Sequence, residues 1–215
     1  MKNLKLHGSI FLCLFLISCS INSDNIKQPV AVLTIQERLD SNETPLDIYE
    51  SGILLNDIYG NFYEGGFIFY LDTDTGKGMV TGFQDTGTTA GWSGCFYPNV
   101  TTKTLWSGQD NTFELATQCE NPNYPKLNPI TVCTSLDLNG HTDWFLPSTE
   151  EIAAMLFNLG GKDYISFGAS HYWSSSNIDS QYAWAVDNML GLSVRAHLKR
   201  ADRNQNFRVR AIRYF

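Results

Sequence analysis

The sequence predicts an α+β fold with an antiparallel sheet, two or three helices and long loops. Hydrophobic residues make up 43% of the 215 residues and charged residues 17%, which is typical of a folded domain with one core. Short apolar runs separated by Gly-, Ser- and Thr-rich turns predict strands near the middle and the end of the chain. Capped apolar stretches between these two parts predict the helices.

The N-terminus predicts export and lipid anchoring. The apolar run 10–17 follows two lysines and is shorter than the roughly 20 residues that span a bilayer. It ends in "LISC" (16–19), which resembles a bacterial lipobox. We therefore expect residues 1–18 to be a lipoprotein signal peptide and Cys19 to be lipidated, with an ordinary secretory signal as the alternative. Ser20, where a retained inner-membrane lipoprotein has Asp, favours the outer membrane or cell surface.

The charge balance excludes a nucleic-acid-binding protein. The net charge is −7, and it becomes −9 without residues 1–18, which hold two lysines and no acids. Bulk attraction to nucleic acid or to an anionic membrane is not expected, so the lipid anchor is the expected membrane contact. Residues 183–215, however, carry seven basic and two acidic residues, which permits a basic patch on an acidic protein.

Three cysteines remain outside the signal peptide and the anchor: Cys95, Cys119 and Cys133. Outside the cytoplasm two of them can pair, and the sequence leaves all three pairings open. Cys133 lies in an apolar, helix-like run, which suits a buried thiol. The other two lie beside Gly- and Asn-rich turns, so a Cys95–Cys119 disulfide is the favoured prediction.

The first part of the chain predicts a tether, a helical lead-in and a hairpin. Residues 19–33 are polar, and 34–62 hold short amphipathic segments that we expect either to pack on the domain or to form a stalk. The runs 65–72 and 76–83 predict two strands. The linking "DTDTG" resembles a calcium loop, but the twelfth position is Phe83 rather than an acidic ligand, so a hairpin turn is expected.

The middle of the chain predicts a long loop and two helices. Residues 84–110 are rich in Gly, Thr, Ser and Trp and show almost no periodicity, as in functional loops. A helix is expected over 111–119 with Asn111 as its N-cap. Another is expected over 128–140, ending at Asn139-Gly140.

The stretch "HTDWFLPSTEEIAAMLFNLGG" (141–161) predicts a buried corner followed by a helix. Ser148 and Glu151 have the spacing of a capping box, and Gly160-Gly161 marks the end of the helix. The apolar residues 144–146 are expected to be buried, and this corner is not expected to contact a ligand.

After Gly161 the chain predicts a meander of three or four strands. The segments are 171–176, 182–188, 191–200 and 206–215. In the last segment Phe207, Val209 and Ala211 alternate with Arg208 and Arg210, which predicts one apolar face and one basic face.

Several motifs in this order resemble the Legionella collagen-like (Lcl) C-terminal domain family. They are "YEGGFIFYLDTDTGKGMV", "GWSGC", "NT" at 111–112, "TDWFLPSTEEI", "YWSSS" and "FRVRAIRYF", and the resemblance covers 63–215. The segment 34–62 resembles the lead-in of Bacteroidetes-type surface lipoproteins that carry this domain. The resemblance implies a C-type-lectin-like or sulfatase-modifying-factor-like fold on a bacterial surface, and the founding adhesin binds sulfated glycosaminoglycans.

This sequence also departs from those families. It has no collagen-like repeat, so the trimerising stalk that would give multivalent binding is missing. It lacks the Glu-Pro-Asn and Trp-Asn-Asp signatures of calcium-dependent lectins, and it lacks recognisable residues of the sulfatase-modifying enzymes. Sugar binding through calcium is therefore not expected.

The basic residues of the last strands are the predicted ligand-binding site. Arginine binds sulfate and phosphate groups through its planar fork. The alternative is a solvated strand face that discourages aggregation. The residues are Arg195, His197, Lys199, Arg208 and Arg210.

Two tryptophans are candidates for stacking on sugar rings. Trp92 and Trp106 lie in the long loop region, where an exposed indole would be unusual without a ligand. Trp173 and Trp184 lie in strand-like runs and are expected in the core.

No motif predicts an enzyme, a cofactor or a metal site. His141, Asp143 and His171 match no standard zinc spacing, and the serines at 174–176 lack the glycines of a nucleophile elbow. The expected function is surface binding or adhesion, with anionic polysaccharide or glycosaminoglycan as the partner. The alternatives are a cell-envelope scaffold that binds proteins and an enzyme on a lectin-like fold, whose activity would depend on Cys133, His141 or His171.

Overall fold

The computed structural model describes residues 32–86, 91–92, 101–118, 128–188 and 197–215. The helices in these ranges are α1 (Ile35–Asp40), α2 (Pro45–Glu50), α3 (Leu55–Ile58), α4 (Gly108–Gln118), α5 (Pro129–Thr134) and α6 (Thr149–Leu159). The strands are β1 (Phe62–Tyr63), β2 (Gly66–Leu71), β3 (Gly78–Thr81), β4 (His171–Asn177), β5 (Tyr182–Asp187), β6 (His197–Asp202) and β7 (Ile212–Tyr214). The pairing is antiparallel throughout two sheets, so the α+β class is confirmed.

The first sheet has the strand order β1-β2-β3-β7. β2 and β3 form the predicted hairpin. In its turn the Asp72 carboxylate accepts hydrogen bonds from the Asp74 N–H at 3.0 Å and the Thr75 hydroxyl at 2.8 Å. Gly76 closes the turn with a φ of 75°, a conformation that glycine adopts without steric cost. The aspartate-rich segment is thus a hairpin turn, as the sequence predicts.

The second sheet is the predicted meander, with three strands in the order β4-β5-β6. The sequence predicts three or four strands here and three are observed, because the segment 206–215 does not join this sheet as a fourth strand. Arg208 forms a parallel bridge with β4, whereas Ile212–Tyr214 pair with β3 of the first sheet. Because the final segment passes from one sheet to the other, it is covered on both sides, and the alternation does not give an apolar face and a solvated basic face.

The helices of the lead-in pack on the domain rather than forming a stalk. Residues 33–215 form one compact unit, and Leu39, Ile48 and Ile58 contribute to its core. α1 and α2 both begin with a capping box, and Gln36 of α1 exchanges two hydrogen bonds with the backbone of Phe62, at 2.8 and 2.9 Å. The lead-in is therefore part of the folded unit.

α6 lies at the centre and begins as predicted. The Ser148 hydroxyl accepts from the Glu151 N–H, and the Glu151 carboxylate accepts from the Ser148 N–H at 2.8 Å, which completes the capping box. The apolar side of the helix packs against β2, β4 and β5. The preceding residues Trp144, Phe145 and Leu146 are buried, so the predicted corner is confirmed.

The two helices predicted before this corner have different boundaries. α4 begins at Gly108, and Asn111 lies within it, where its amide donates to the Thr102 carbonyl at 2.8 Å instead of capping the helix. α5 ends at Thr134, well before Asn139-Gly140. Those two residues have φ values of 55° and 81° and form a two-residue hairpin turn. Two successive positive φ angles are the geometry that Asn-Gly favours in such turns.

Two further findings concern membrane-spanning helices and the cysteines. Among them no helix is long and apolar enough to cross a membrane. Cys133 on α5 is a free, fully buried thiol, as predicted. The signal peptide, Cys19 and the pair Cys95 and Cys119 lie outside the described residues.

Candidate functional site

The predicted basic residues that lie in the described ranges do not share one surface. Arg195 lies outside the described residues. His197 is exposed and Lys199 half-buried on β6, whereas only 1% of Arg210 is exposed. The prediction of a joint patch is therefore wrong for Arg210, because the final segment runs through the core.

Arg208 and Arg210 share the carboxylate of Asp85, whose side chain is 10% exposed. Arg208 Nη1 lies 2.7 Å from Asp85 Oδ2, and Arg210 Nε lies 3.5 Å from Asp85 Oδ1. The Tyr172 hydroxyl donates to the same carboxylate at 3.0 Å, and burial together with this negative charge raises the pKa of Tyr172. The two arginines are thus partners of an internal acid, and only Arg208 keeps partial access to solvent.

Backbone carbonyls accept hydrogen bonds from both Nη atoms of Arg210, whereas its buried Nε forms the ion pair with Asp85 without a hydrogen bond. Its Nη1 donates to the Gly82 carbonyl at 3.3 Å and its Nη2 to the Ser166 carbonyl at 2.5 Å, and it lies 4.4 Å from the centre of the Phe167 ring. Burial lowers the pKa of Arg210, and Asp85 opposes that shift. Arg210 therefore joins β3, the 166–168 loop and the last segment.

Lys199 lies at the rim of the core. Its ammonium is 3.4 Å from His171 Nε2 and 5.1 Å from the centre of the Phe207 ring. Burial lowers the pKa of His171 and Lys199 lowers it further, whereas Asp187 raises it. This side of β6 is partly covered, so only part of the Lys199 side chain is accessible to a ligand.

The other side of the meander carries cations over aromatic rings. Trp184 and Arg200 are direct cross-strand partners. The Lys103 ammonium lies 4.5 Å from the centre of the Trp184 ring, and the Arg200 guanidinium lies 3.7 Å from that of Tyr182. Leu198, 48% exposed, continues this side of β6. We call these five residues (Lys103, Tyr182, Trp184, Leu198 and Arg200) the basic face.

Hydrogen bonds to β4 place Lys103 over the sheet. The Thr101 hydroxyl donates to the Ser175 carbonyl at 2.5 Å and accepts from the Asn177 N–H at 2.6 Å. The Ser176 hydroxyl donates to the Thr102 carbonyl at 2.9 Å. The loop residues 101–103 therefore run along β4, and the buried serines support them.

The candidate tryptophans have different environments. Trp92 is 1% exposed, stacks edge-on against Trp173 at 6.0 Å and faces the Arg203 guanidinium at 5.3 Å, so it belongs to the core and not to a sugar platform. Trp173 is buried as predicted. Trp184, predicted in the core, is instead half-buried on the basic face.

Trp106 lines a cleft at the edge of the first sheet. The cleft has a volume of about 610 Å³. Trp106 is half-buried, and its ring lies edge-on to Tyr214 at 4.9 Å. Its φ of 66° is an outlier for a bulky side chain. We call this the aromatic cleft, and its lining residues are Asp72, Thr75, Lys77, Trp106, Tyr214 and Phe215.

Glu151 accepts hydrogen bonds from residues in and beside the wall of the aromatic cleft. Besides capping α6, its buried carboxylate accepts from the Tyr214 hydroxyl at 2.5 Å and from the backbone N–H groups of Trp106 and Gly108. Burial raises the pKa of Glu151, and these donors oppose that shift. A side chain at Gly108 would begin 2.1 Å from a Glu151 oxygen, so glycine is required for this close approach.

Among the residues considered for catalysis or metal binding, Asp143 and His171 have different partners. Asp143 forms an ion pair with Arg213 at 2.8 Å, whereas His171 lies on β4 beside Lys199. Burial alone would raise the pKa of Asp143, but the Arg213 guanidinium lowers it by more. Within the described ranges no group of three or more His, Cys, Asp or Glu side chains is placed to hold a metal ion.

No protein-family model matches the sequence, and no curated protein matches it. The resemblance of residues 63–215 to the Lcl C-terminal domain family therefore stays a prediction carried by the motifs.

Proposed function

We propose that this is an exported, lipid-anchored binding protein of the bacterial surface, with a lectin-like fold, that attaches to an anionic polysaccharide and performs no catalysis. The lipobox at Cys19 and the acidic net charge of the chain support export and exclude bulk nucleic-acid binding. The two antiparallel sheets are compatible with a lectin-like fold. The ligand site of this proposal is the basic face.

One observation carries the proposal: Trp184 lies between two cations, Lys103 above its ring and Arg200 directly across the strand pair. The ring is half-buried and the Lys103 ammonium covers one of its faces, so a sugar can contact the part of the ring that Lys103 leaves exposed. An ammonium and a guanidinium beside it are placed to pair with sulfate or carboxylate groups on the same sugar or its neighbours. An uncharged polysaccharide would not pair with the two cations.

The other basic residues near the C-terminus contribute less. Asp85 pairs with both Arg208 and Arg210 and offsets one of their two charges, Arg210 is buried, and Asp143 pairs with Arg213. Arg200 has an acidic neighbour too, but Asp179 is 4.0 Å away and both side chains are about half exposed. An exposed pair of this kind is worth about 0–1 kcal/mol, so a sulfate group can displace the carboxylate.

The test is the binding of the full chain to heparin and dextran sulfate during a salt titration. We expect affinity at low salt that falls as salt screens the charges. A double variant, Lys103→Gln with Arg200→Gln, should bind about tenfold more weakly, which corresponds to about 1.4 kcal/mol. Trp184→Ala should weaken binding as well.

A matched control separates the basic face from net charge. Lys77→Gln with Lys162→Gln changes the net charge equally on other parts of the domain. This control should bind like the unmodified protein. The proposal is wrong if the two double variants lose affinity equally, or if the protein does not bind either polymer at low salt.

A further inference from the structure

We propose that the aromatic cleft is a second carbohydrate site, which binds an uncharged sugar ring independently of the basic face. The cleft lies at the edge of the first sheet, whereas the basic face lies on the second sheet. The inference does not depend on polyanion binding, because none of the residues of the basic face lines the cleft.

The lining has the composition that a sugar ring requires. The rings of Trp106, Tyr214 and Phe215 supply an apolar wall for the C–H face of a pyranose. Its volume of about 610 Å³ lies within the roughly 300–1,000 Å³ that is typical of small-molecule sites. The polar side chains that orient a ligand lie on the β2–β3 turn.

The polar rim is suited to hydroxyl groups. Hydrogen bonds from the Thr75 hydroxyl and the Asp74 N–H lower the pKa of Asp72, so this carboxylate is ionised and can accept from sugar hydroxyls. The exposed Lys77 ammonium can donate to them, and the Thr75 hydroxyl, whose proton is donated to Asp72, can accept from them. A carboxylate, a hydroxyl and an ammonium side by side match the mixed donors and acceptors of a sugar.

The two opposite charges at the rim favour an uncharged ligand. Asp72 and Lys77 carry opposite charges at the same rim, so the rim has no net charge. A sulfated or carboxylated chain that approached Lys77 would also meet the Asp72 carboxylate, and like charges at short range repel. The cleft thus differs from the basic face in the kind of saccharide that it accepts.

The backbone of Trp106 is the second, independent observation. Its left-handed conformation is unfavourable for a bulky side chain and is held by the bonds of Trp106 and Gly108 to Glu151. The neighbouring Leu105 N–H donates to Glu150 at 3.1 Å. Strained residues of this kind cluster at ligand sites. A glycine would satisfy the backbone better, and the indole that takes its place forms the cleft wall.

The test uses the full chain and a panel of neutral oligosaccharides of glucose, galactose, mannose and N-acetylglucosamine. Binding is measured by saturation-transfer NMR in about 1 M salt, where screening within about 3 Å suppresses the basic face. We expect at least one of these probes to bind. Trp106→Gly and Trp106→Ala should each weaken that binding at least tenfold. The glycine variant should melt at a higher temperature than the alanine variant, because glycine adopts the positive φ at this position without strain.

Two further variants keep the test decisive if the tryptophan variants do not fold. Lys77→Ala changes an exposed turn residue and should weaken binding about threefold without altering the melting temperature. Phe113→Ala removes an exposed aromatic ring on α4 outside the cleft and should leave binding unchanged. The double variant of the basic face should also bind the neutral probe normally.

The inference is overturned if no oligosaccharide of the panel binds in high salt. It is also overturned if folded Trp106 variants bind as the unmodified protein does, or if Phe113→Ala and Lys77→Ala have equal effects. Because the probes are uncharged and the salt is high, this failure would leave the polyanion proposal untouched. Loss of dextran sulfate binding would likewise leave the cleft untouched.

Discussion

Replacement of Asp85 by alanine should destabilise the fold by about 3–5 kcal/mol, which is the usual effect of leaving a buried charge without its partner. Arg210 is the residue left behind. It is 1% exposed, and Asp85 is the carboxylate that it faces, at 3.5 Å. The carbonyls of Gly82 and Ser166 still accept from its guanidinium but carry no opposite charge.

The same substitution affects two other groups to a smaller extent. Tyr172 loses the acceptor at 3.0 Å and keeps its contacts with Gly168. Arg208 loses its ion pair at 2.7 Å, but its side chain is 39% exposed and water replaces the partner. An exposed pair is worth about 0–1 kcal/mol, so Arg210 accounts for most of the expected loss.

Urea unfolding followed by tryptophan fluorescence measures the effect. Asp85→Ala should lower the unfolding midpoint strongly, whereas Arg208→Ala should cost about 1 kcal/mol or less, since it leaves Asp85 paired with Arg210. Equal losses for the two variants, or a loss below about 1 kcal/mol for Asp85→Ala, would refute the view that a buried ion pair fixes the last segment.

Three other predictions concern the scaffold. Glu151→Ala leaves four donors without their acceptor and should cost about 4 kcal/mol in the same urea assay; a loss below about 1 kcal/mol would contradict the role of Glu151. Gly140→Ala should cost about 1 kcal/mol because its φ is 81°, whereas Gly161→Ala, which has open space and no positive φ, should not. Cys133 should escape iodoacetamide until urea is added, because it is buried and burial raises its pKa; mass spectrometry of native, labelled protein would reveal early modification.

Features that depend on near neighbours in the chain were predictable. The start of α6 follows from Ser148 and Glu151, three residues apart, and the β2–β3 turn follows from Asp72 to Gly76. In both cases the bonds that define the feature join residues within the same short segment. The Asn139-Gly140 dipeptide is also a strong hairpin signal, and the helix predicted over 128–140 extends too far because residues 134–138 contain no Gly or Pro.

Features that depend on distant partners were not predictable. The alternation before Ala211 gives no sign that Asp85, 123 residues before Arg208, would draw two arginines inward. Trp92 is predicted on a loop, but its ring packs against Trp173, which lies on a strand much later in the chain. A single sequence does not reveal such pairs. Covariation of the two positions among related sequences would be needed to detect them.

The basic face was missed for the same reason. Trp184 alternates as a core residue would, and Lys103 lies in a loop without periodicity. Hydrogen bonds of residues 101–103 to β4 and to the start of α6 bring the lysine over the ring. Trp106 was proposed from its loop position, but nothing local indicates that Tyr214 and Phe215, at the end of the chain, complete its cleft.

The protein contains five tryptophans, so fluorine NMR of 5-fluorotryptophan-labelled protein gives five signals that single substitutions can assign. This one measurement tests directly where an anionic polysaccharide binds. Dextran sulfate at low salt should shift the Trp184 signal and leave those of the buried tryptophans, and that of Trp106, in place. A shift of the Trp106 signal instead, or no shift of the Trp184 signal at saturating polymer, would contradict the assignment of the basic face as the ligand site.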